Sequence, residues 1–373
     1  MICCFSILFG AYFFCMMALV YGFRKVKFFS SKEMQPEIRF SVIIPFRNEF
    51  ENLSHLLKTI EELNYPSQLF EIIFVNDAST DSSEAIVLQA IENSNFSIRL
   101  LQNKRVSNSP KKDTISEAIK NSNFEWIVTT DADCELPENW LKTLDAFIQI
   151  NIPVMVCGPV VYQSNGSFIE NFQQLDGLSL QAVTIGSFGF GNPLLSNGAN
   201  LAYKKDGFIE VNGFSGNDHI ASGDDVFLLE KMKKAFPKQV KFLKSEGAIV
   251  STKPQLSWRN VLNQRVRWAS KTSKQKNAAS LLLGLLVLFV NASVLAIPFF
   301  MVFDSKNFIF YLTLPGLKIV ADYLFVSPSS KFFGTTISNY KFQIQIFIYA
   351  AVVLMVVIRS LSGNYSWKGR NFN

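Results

Sequence analysis

The sequence has few of the residues that build histidine-based or cysteine-based centres. It contains two histidines, His55 and His219, so neither a histidine-ligated zinc site nor a histidine-dependent nucleophilic triad is expected. Its five cysteines show no metal-ligand spacing. Two of them, Cys134 and Cys157, fall in a segment argued below to be cytoplasmic, where thiols stay reduced.

Common nucleotide-binding signatures are missing as well. The chain has neither a GxGxxG turn nor a Walker A loop, which disfavours an ordinary dinucleotide fold and a P-loop. It has no internal repeat and no low-complexity block. The net charge is only +6, and much of it flanks apolar segments. This distribution suits anionic lipid headgroups or phosphate-bearing substrates better than a nucleic-acid groove, so no nucleic-acid partner is expected.

Long apolar segments, by contrast, are present. Ile2–Phe23 and Ala278–Phe303 carry no charged residue, and each exceeds the ~20 residues that cross a bilayer. A third segment, Asn307–Val326, is interrupted by two charges, and a fourth, Phe342–Ile358, is uncharged but short. The sequence therefore predicts a membrane protein with two clear spans. It leaves open whether the last two segments span the membrane or lie in its interface.

Basic residues predict the topology. They follow the first apolar segment and precede the second, so residues 24–276 are expected in the cytoplasm. The first segment lacks a positive n-region and a small-residue cleavage site, and it is interpreted as an uncleaved anchor. We expect an anchor at 1–24, a cytoplasmic domain at 36–276, and a membrane region with a short tail at 277–373. Nothing requires a eukaryotic organelle, which favours a multi-pass protein of a bacterial cytoplasmic (inner) membrane.

The cytoplasmic segment alternates short apolar runs with segments of helical periodicity. The predicted strands are Phe40–Pro45, Phe70–Asn76, Ile98–Gln102 and Trp126–Thr130, and the predicted helices between them cover residues 51–63, 81–92 and 112–121. Continuous apolar strands that alternate with helices predict an α/β domain with a mostly parallel sheet covered on both faces. Such sheets bind ligands at the carboxyl ends of their strands.

Polar residues follow three of these strands, in the segments PFRNE, NDASTD and TDAD. Asp131 and Asp133 lie on one side of an extended chain, and two such charges repel unless a cation sits between them. Lys111 and Lys112 are nearby in sequence. The pattern leaves two interpretations open, a cation site or an aspartate-containing turn that ends the strand.

Five motifs occur in an order that is typical of one enzyme family. They are SVIIPFRNE (41–49), FVNDASTD (74–81), TTDADC (129–134), SGDDVFLL (222–229) and QRVRW (264–268). The chain from about Phe40 to Lys271 resembles membrane-bound, inverting glycosyltransferases of family 2, similar to ceramide glucosyltransferase-like and polysaccharide synthase-like members. The resemblance implies a GT-A fold, which is Rossmann-like, flanked by transmembrane helices.

The resemblance also implies a donor site. It assigns Asp131 and Asp133 to a divalent metal, Mg²⁺ or Mn²⁺, that meets the donor diphosphate, with Asp133 as the direct ligand. The remaining donor-binding residues implied by the family are Pro45, Arg47, Glu49, Asp77 and Lys112. Asp77 is expected to bind the base, uracil, and Lys112 to face the diphosphate. Other interpretations are a turn or helix cap for Asp77, a structural salt bridge for Arg47 and a solvated helix start for Lys112.

The resemblance assigns one further motif to catalysis, and it assigns QRVRW to nucleotide-sugar binding and to the acceptor end. Asp225 is expected to be the catalytic base and Asp224 a supporting group, although two acids that open a helix could merely complement its dipole. In QRVRW, Gln264, Arg267 and Trp268 match a motif whose arginine contacts the diphosphate and whose tryptophan lines the acceptor end. A headgroup anchor is the other interpretation of this basic segment.

The resemblance, together with the apolar segments, implies transfer of a sugar, with inversion, from a nucleoside-diphosphate sugar to a lipid or lipid-linked acceptor at the cytoplasmic face. UDP is the nucleotide that the resemblance implies. Three or four spans are few for a polymer channel, but a processive polysaccharide synthase remains an alternative. A membrane sensor or transporter of nucleotide-sugars is an alternative from another class. The sequence does not indicate an oligomeric state.

Overall fold

The computed structural model describes residues 2–30, 33–217, 220, 222–272, 277–337, 339–361, 365–368 and 370–372, so His219 lies outside the described residues. The helices are α1 (Ile2–Lys25), α2 (Phe50–Glu61), α3 (Ser83–Asn93), α4 (Pro110–Asn121), α5 (Trp140–Asn151), α6 (Phe168–Gly189), α7 (Lys205–Glu210), α8 (Asp224–Ala235), α9 (Trp258–Thr272), α10 (Ala278–Phe303), α11 (Phe308–Phe332) and α12 (Asn339–Ser360). The strands are β1 (Phe40–Phe46), β2 (Phe70–Asn76), β3 (Ser97–Gln102), β4 (Trp126–Thr129), β5 (Cys134–Glu135), β6 (Met155–Cys157), β7 (Val160–Tyr162), β8 (Leu201–Lys204), β9 (Val240–Phe242), β10 (Val250–Thr252), β11 (Tyr365–Trp367) and β12 (Arg370–Phe372).

The chain forms two compact units, and neither is continuous in sequence. The α/β unit comprises Val26–Gln163 and Leu195–Pro254, and the membrane unit comprises Met1–Lys25, Ser164–Leu194 and Gln255–Asn373. The sequence analysis expects a continuous cytoplasmic domain at 36–276, which would contain α6 and α9. The structure groups these two helices with the apolar helices. The described part of the membrane unit consists of six helices and the small β11–β12 hairpin.

The α/β unit is built on a seven-stranded sheet in the order β3-β2-β1-β4-β8-β6-β9. Strands β1 to β4 are mutually parallel, and β8 runs antiparallel to both β4 and β6. Every residue of β2 and β4 is buried, as expected for strands covered on both faces. The four strands predicted from sequence are all present, and the mostly parallel α/β fold is confirmed.

A second sheet, in the order β5-β10-β7, lies within the same unit. Strand β5 begins directly after the aspartates of TDAD and pairs with β10 in antiparallel fashion. This pairing fixes the chain just beyond Asp133, because Cys134 and Glu135 oppose Thr252 and Ser251.

Among its described residues, the membrane unit contains four helices that are long and apolar enough to cross a bilayer, by length and composition: Ile2–Lys25, Ala278–Phe303, Ser305–Phe332 and Phe342–Ser360. The third and fourth apolar segments, left open by the sequence, are thus both continuous helices of spanning length.

Helix α6 packs against α1 at a distance that only glycine allows. A Cβ atom on Gly189 would lie 1.9 Å from the carbonyl oxygen of Gly22, and one on Gly186 would lie 2.6 Å from that of Leu19. Small residues at such crossings let helix backbones approach closely in membrane proteins. This contact explains why α6 belongs to the membrane unit although it is not among the four candidate spans.

Candidate active site

The carboxyl ends of β1, β2 and β4 meet at one edge of the large sheet, because these strands are parallel neighbours. The predicted polar loops after these strands therefore lie at the same edge.

Lys111 links two of the predicted acidic motifs. Its Nζ atom lies 2.6 Å from Oδ1 of Asp131 and 3.5 Å from Oδ2 of Asp224. Lys111 stands in the first turn of α4, Asp131 follows β4, and Asp224 is the first residue of α8. Three segments far apart in sequence are thus joined by one ammonium group.

Electrostatics favour a protonated Lys111. Burial by itself lowers the pKa of the ammonium, but the carboxylates of Asp131, Asp224 and Asp225 outweigh burial and raise the pKa well above its ordinary value. Three carboxylates thus lie near one ammonium group at this site. Carboxylate oxygens are ligands that a hard divalent cation accepts.

The carboxylates suit a hard divalent cation that shares its coordination with a substrate. Among the described residues, no group of three or more histidine, cysteine or acidic side chains is arranged to hold a metal by itself. Mg²⁺ is commonly held by one or two carboxylates plus substrate phosphates, and Asp131 and Asp133 supply such a pair. The donor set thus fits Mg²⁺ or Mn²⁺ together with a diphosphate.

The backbone of Gly198 lies against this cluster. A Cβ atom there would lie 3.0 Å from Oδ2 of Asp224 and 3.5 Å from Nζ of Lys111. The Gly198 carbonyl accepts a hydrogen bond of 2.7 Å from the Thr129 hydroxyl at the end of β4. The loop is fixed further by Asn200, whose amide donates to two backbone carbonyls and accepts from the Trp140 indole. A Cβ atom at this position would require the Asp224 carboxylate to shift by a few tenths of an ångström.

The two acids at the start of α8 follow a glycine in the left-handed region. Gly223 has φ of 85°, a conformation that glycine adopts without strain. Asp224 and Asp225 then occupy the first helical turn and are each 9% exposed. Their position near the helix N-terminus also stabilises their negative charge.

Asp77 lies in a second polar pocket at the same sheet edge. It is 5% exposed, and its Oδ1 atom accepts hydrogen bonds from the Asn103 amide at 2.8 Å and from Nε of Arg105 at 3.1 Å. Arg47 donates to the backbone carbonyls of Asp77 and Ala78, at 2.7 and 2.6 Å. Arg47 therefore ties the loops after β1 and β2 together. Asn103 and Arg105 were not assigned from the sequence, although they follow β3.

The remaining residues of the predicted nucleoside loop lie beside this pocket. Pro45 is half-buried in β1 opposite Val75. The Glu49 backbone N–H donates to the Ser83 hydroxyl at 2.8 Å, and the Glu49 carboxylate accepts from the Asn52 amide at 2.6 Å. The structure thus brings Pro45, Glu49 and Asp77 to one edge of the sheet.

Lys112 is buried and bound to backbone carbonyls. The residue is 2% exposed, and its ammonium donates to the carbonyls of Asn217 and Ile220 at 2.6 and 2.8 Å. The neighbouring Lys111 is the lysine that contacts the acidic cluster.

QRVRW lies on α9 in the membrane unit, whereas the aspartates above belong to the α/β unit. Within QRVRW, Arg265 is 8% exposed and pairs with Asp176 of α6 at 2.5 Å. It also donates to the Gln264 amide oxygen and stacks 4.2 Å from the centre of the Trp268 ring. Arg265 thus contacts two of the three predicted residues, Gln264 and Trp268. The family motif did not single out Arg265. Arg267, the third, is half-buried.

Comparisons with known proteins identify the family. A sequence model described as glycosyl transferase family 2 matches residues 41–210, and one described as glycosyl transferase family group 2 matches residues 126–326, more than half of the chain. The chain belongs to glycosyltransferase family 2. This result confirms the resemblance inferred from the five motifs.

Two relatives and one solved structure illustrate the similarity. The chain is 36% identical over 106 residues to the undecaprenyl-phosphate 4-deoxy-4-formamido-L-arabinose transferase of Photorhabdus laumondii, covering 28% of this chain and 32% of the relative. It is 30% identical over 111 residues to the poly(ribitol-phosphate) beta-N-acetylglucosaminyltransferase TarS of Staphylococcus aureus, covering 30% of this chain and 19% of the relative. The matches therefore span less than half the length of either relative.

The fold is shared with a mannosyltransferase. PcManGT from Pyrobaculum calidifontis, solved in complex with GDP-Man and Mn²⁺, has a TM-score of 0.59 at 16% identity, covering 97% of this chain and 99% of that one. This likeness confirms the GT-A fold predicted from the sequence.

Proposed function

We propose that this family 2 protein transfers a sugar from a nucleoside-diphosphate sugar to a lipid or lipid-linked acceptor, with inversion, at the cytoplasmic face of a cell membrane. The observation that carries the proposal is the Lys111 ammonium, which joins Asp131 of TDAD to Asp224 of SGDD. The motif proposed to bind the donor and the motif proposed to carry the base are thereby linked through one lysine.

The nucleoside is assigned to the pocket around Asp77. The Asp77 carboxylate is oriented by hydrogen bonds from Asn103 and Arg105, and it is proposed to accept a hydrogen bond from the edge of the base. Uracil remains the proposed base on family resemblance. PcManGT was solved with GDP-Man, so both nucleotides belong in the first assay.

The diphosphate is assigned to Lys111, because its ammonium contacts Asp131 and Asp224, rather than to Lys112, whose ammonium donates to backbone carbonyls. Asp131 and Asp133 would hold Mg²⁺ or Mn²⁺, which when bound neutralises charge on the departing diphosphate. Arg267 is proposed to add a planar, permanently charged contact to the same group.

Asp225 is proposed as the base. The acceptor hydroxyl oxygen would attack the anomeric carbon as the bond from that carbon to the diphosphate oxygen breaks. The hydroxyl proton would pass to the Asp225 carboxylate. In-line attack inverts the anomeric centre, and a positioned base of this kind typically contributes about 10²–10⁴ in rate. Asp224 supports this group by sharing Lys111.

The acceptor is proposed to be a membrane lipid or a lipid-linked group. The four spanning-length helices would hold the enzyme at the bilayer, and one relative is named as an undecaprenyl-phosphate transferase. A glycan acceptor is the second candidate, because TarS is named as a poly(ribitol-phosphate) transferase. Trp268 is proposed to line the acceptor end, where its ring can pack on a sugar face or a lipid chain.

The test is a nucleotide-release assay on protein purified in detergent. It uses a panel of UDP- and GDP-sugars, Mg²⁺ or Mn²⁺, and a total lipid extract, with Asp133→Asn, Asp225→Asn and the exposed control Asp206→Asn. Release that requires metal and lipid, is lost in the first two variants and survives in D206N supports the proposal. Polymer formed without added lipid would favour the polysaccharide synthase alternative. Binding of a nucleotide-sugar without release under any condition would favour a sensor.

A further inference from the structure

Lys112 anchors the backbone of the segment that leads to α8. Its ammonium donates to the carbonyls of Asn217 and Ile220, 105 and 108 residues away in sequence. It also lies 5.1 Å from the centre of the Phe227 ring on α8. A buried ammonium needs such hydrogen-bonding partners to offset its lost hydration. The contacts join the first turn of α4 to the segment before the proposed base.

A second lysine binds the same segment. Lys231 of α8 donates to four backbone carbonyls at 2.7–3.4 Å, those of Val211, Asn212, Gly213 and Ser215. We call these four carbonyls, together with those of Asn217 and Ile220, the carbonyl arc. Charge-assisted hydrogen bonds are stronger than neutral ones, so two ammonium groups hold this segment, in which residues 211–216 form turns.

The consecutive residues Lys111 and Lys112 therefore contact different parts of the candidate site. Lys111 contacts Asp131 and Asp224, while Lys112 holds the carbonyl arc just upstream of Gly223 and α8. The position at which α8 begins determines where the Asp225 carboxylate points. One turn of α4 thus links the donor carboxylates to the placement of the proposed base.

We infer that Lys112 is a positioning residue for Asp225, with Lys231 as the second anchor of the carbonyl arc. This inference rests on the proposed function, because it takes Asp225 as the base. Lys112 is assigned no contact with the donor or the acceptor. Its loss should misplace the base without removing any group that binds the nucleotide.

Steady-state kinetics on the full-length protein in detergent separate this role from donor binding. Lys112→Met keeps the aliphatic stem and removes the charge. It is expected to lower kcat on the order of 10²-fold, as a misplacement of about 1 Å can, with the donor KM within about threefold of wild type. Lys112→Arg restores the charge and should recover most of kcat, and Lys231→Met should lower kcat in the same sense. Lys234→Met, at an exposed position of α8, is the matched control and should match wild type.

A second measurement does not depend on turnover. Hydrogen–deuterium exchange should show faster exchange in Lys112→Met for peptides covering residues 211–217 and 222–227, with unchanged exchange at residues 131–136. Turnover by the wild-type protein tests the proposed function. The ratio of kcat in the variant to kcat in the wild type, together with the exchange pattern, tests this inference. An unchanged kcat, a donor KM raised as strongly as kcat falls, or unchanged exchange near α8 would each overturn it.

Discussion

Lys318 and Asp322 form an ion pair one turn apart on α11, inside the membrane unit. Lys318 is 1% exposed, and its ammonium lies 5.8 Å from the Tyr12 ring and 5.9 Å from the Tyr349 ring. The Tyr12 hydroxyl donates to Asp322 at 2.5 Å. The pair therefore joins α1, α11 and α12, and it explains how a charged segment is accommodated as a helix of spanning length.

Replacing one member of this ion pair should destabilise the membrane unit more than replacing both members. Lys318→Met or Asp322→Asn leaves one charged or strongly polar partner uncompensated, for which a cost of about 3–5 kcal/mol is expected. The double variant K318M/D322L removes both groups and should unfold at a higher temperature than either single variant. Thermal unfolding in detergent measures all three. If the double variant is the least stable, the pair contributes net stability and this reasoning is wrong.

The glycine crossing between α1 and α6 gives a second prediction. Alanine at Gly189 or Gly186 places a methyl group within 1.9 or 2.6 Å of a carbonyl oxygen, so overpacking should cost about 1–3 kcal/mol. Gly284→Ala in α10 is the control, because nothing lies within 4 Å of its added Cβ. It should be neutral or stabilising, since alanine favours helix. Equal melting temperatures for all three variants would contradict the close approach.

Lys111 should govern both donor affinity and cation affinity. Its raised pKa keeps it protonated through the neutral range, because a raised lysine pKa is passed only at strongly alkaline pH. Donor affinity should therefore show no loss from Lys111 titration between about pH 6 and 9. Lys111→Met should weaken donor binding by about 10- to 150-fold, equivalent to about 1.5–3 kcal/mol.

Lys111→Met should also bind Mn²⁺ more tightly than the wild type in the absence of donor, because Asp131 loses its ammonium partner. Equilibrium binding of Mn²⁺ and of nucleotide, measured separately, checks both expectations, and Lys111→Arg should stay near wild type in the metal titration. Weaker Mn²⁺ binding by K111M would show that Lys111 does not compete with a cation.

The two cysteines of the α/β unit should resist alkylation. Burial, followed by the carboxylates of Asp133 and Asp131, raises the pKa of Cys134, and burial followed by Asp225 raises that of Cys157. A raised pKa lowers the thiolate fraction at a given pH, about tenfold per unit. At pH 8 both should label with iodoacetamide at least about tenfold more slowly than in denaturant. Mass spectrometry of labelled peptides measures this, and equal rates in the folded and denatured protein would refute it.

Sequence patterns predicted the strands, because an apolar run is a local signal. They also predicted the edge of the sheet at which the polar loops lie, because the carboxyl ends of parallel strands share one edge. They did not predict which of two neighbouring lysines reaches the acids. Consecutive helical residues point about 100° apart, so the roles of Lys111 and Lys112 depend on how α4 is rotated. The placement of α6 was missed for a related reason, since it depends on Gly186 and Gly189 meeting α1 in three dimensions.

The two arginines of QRVRW give the last prediction, because the structure assigns them different environments. Arg265 is buried against Asp176 and stacks on Trp268, whereas Arg267 is half-buried. Arg265→Met should cost about 3–5 kcal/mol of stability, since it leaves a buried carboxylate without its partner. Arg265→Lys should recover only part of this, because an ammonium lacks the planar fork that stacks on an aromatic ring.

Arg267→Met is the matched comparison. It is expected to lose turnover with a smaller change in melting temperature, because Arg267 is proposed to act on the diphosphate. Melting temperature and nucleotide release, measured on the same preparations, separate the two effects. If R265M keeps the wild-type melting temperature while R267M unfolds, Arg267 is the arginine that stabilises the fold, and the roles proposed for the two arginines are wrong.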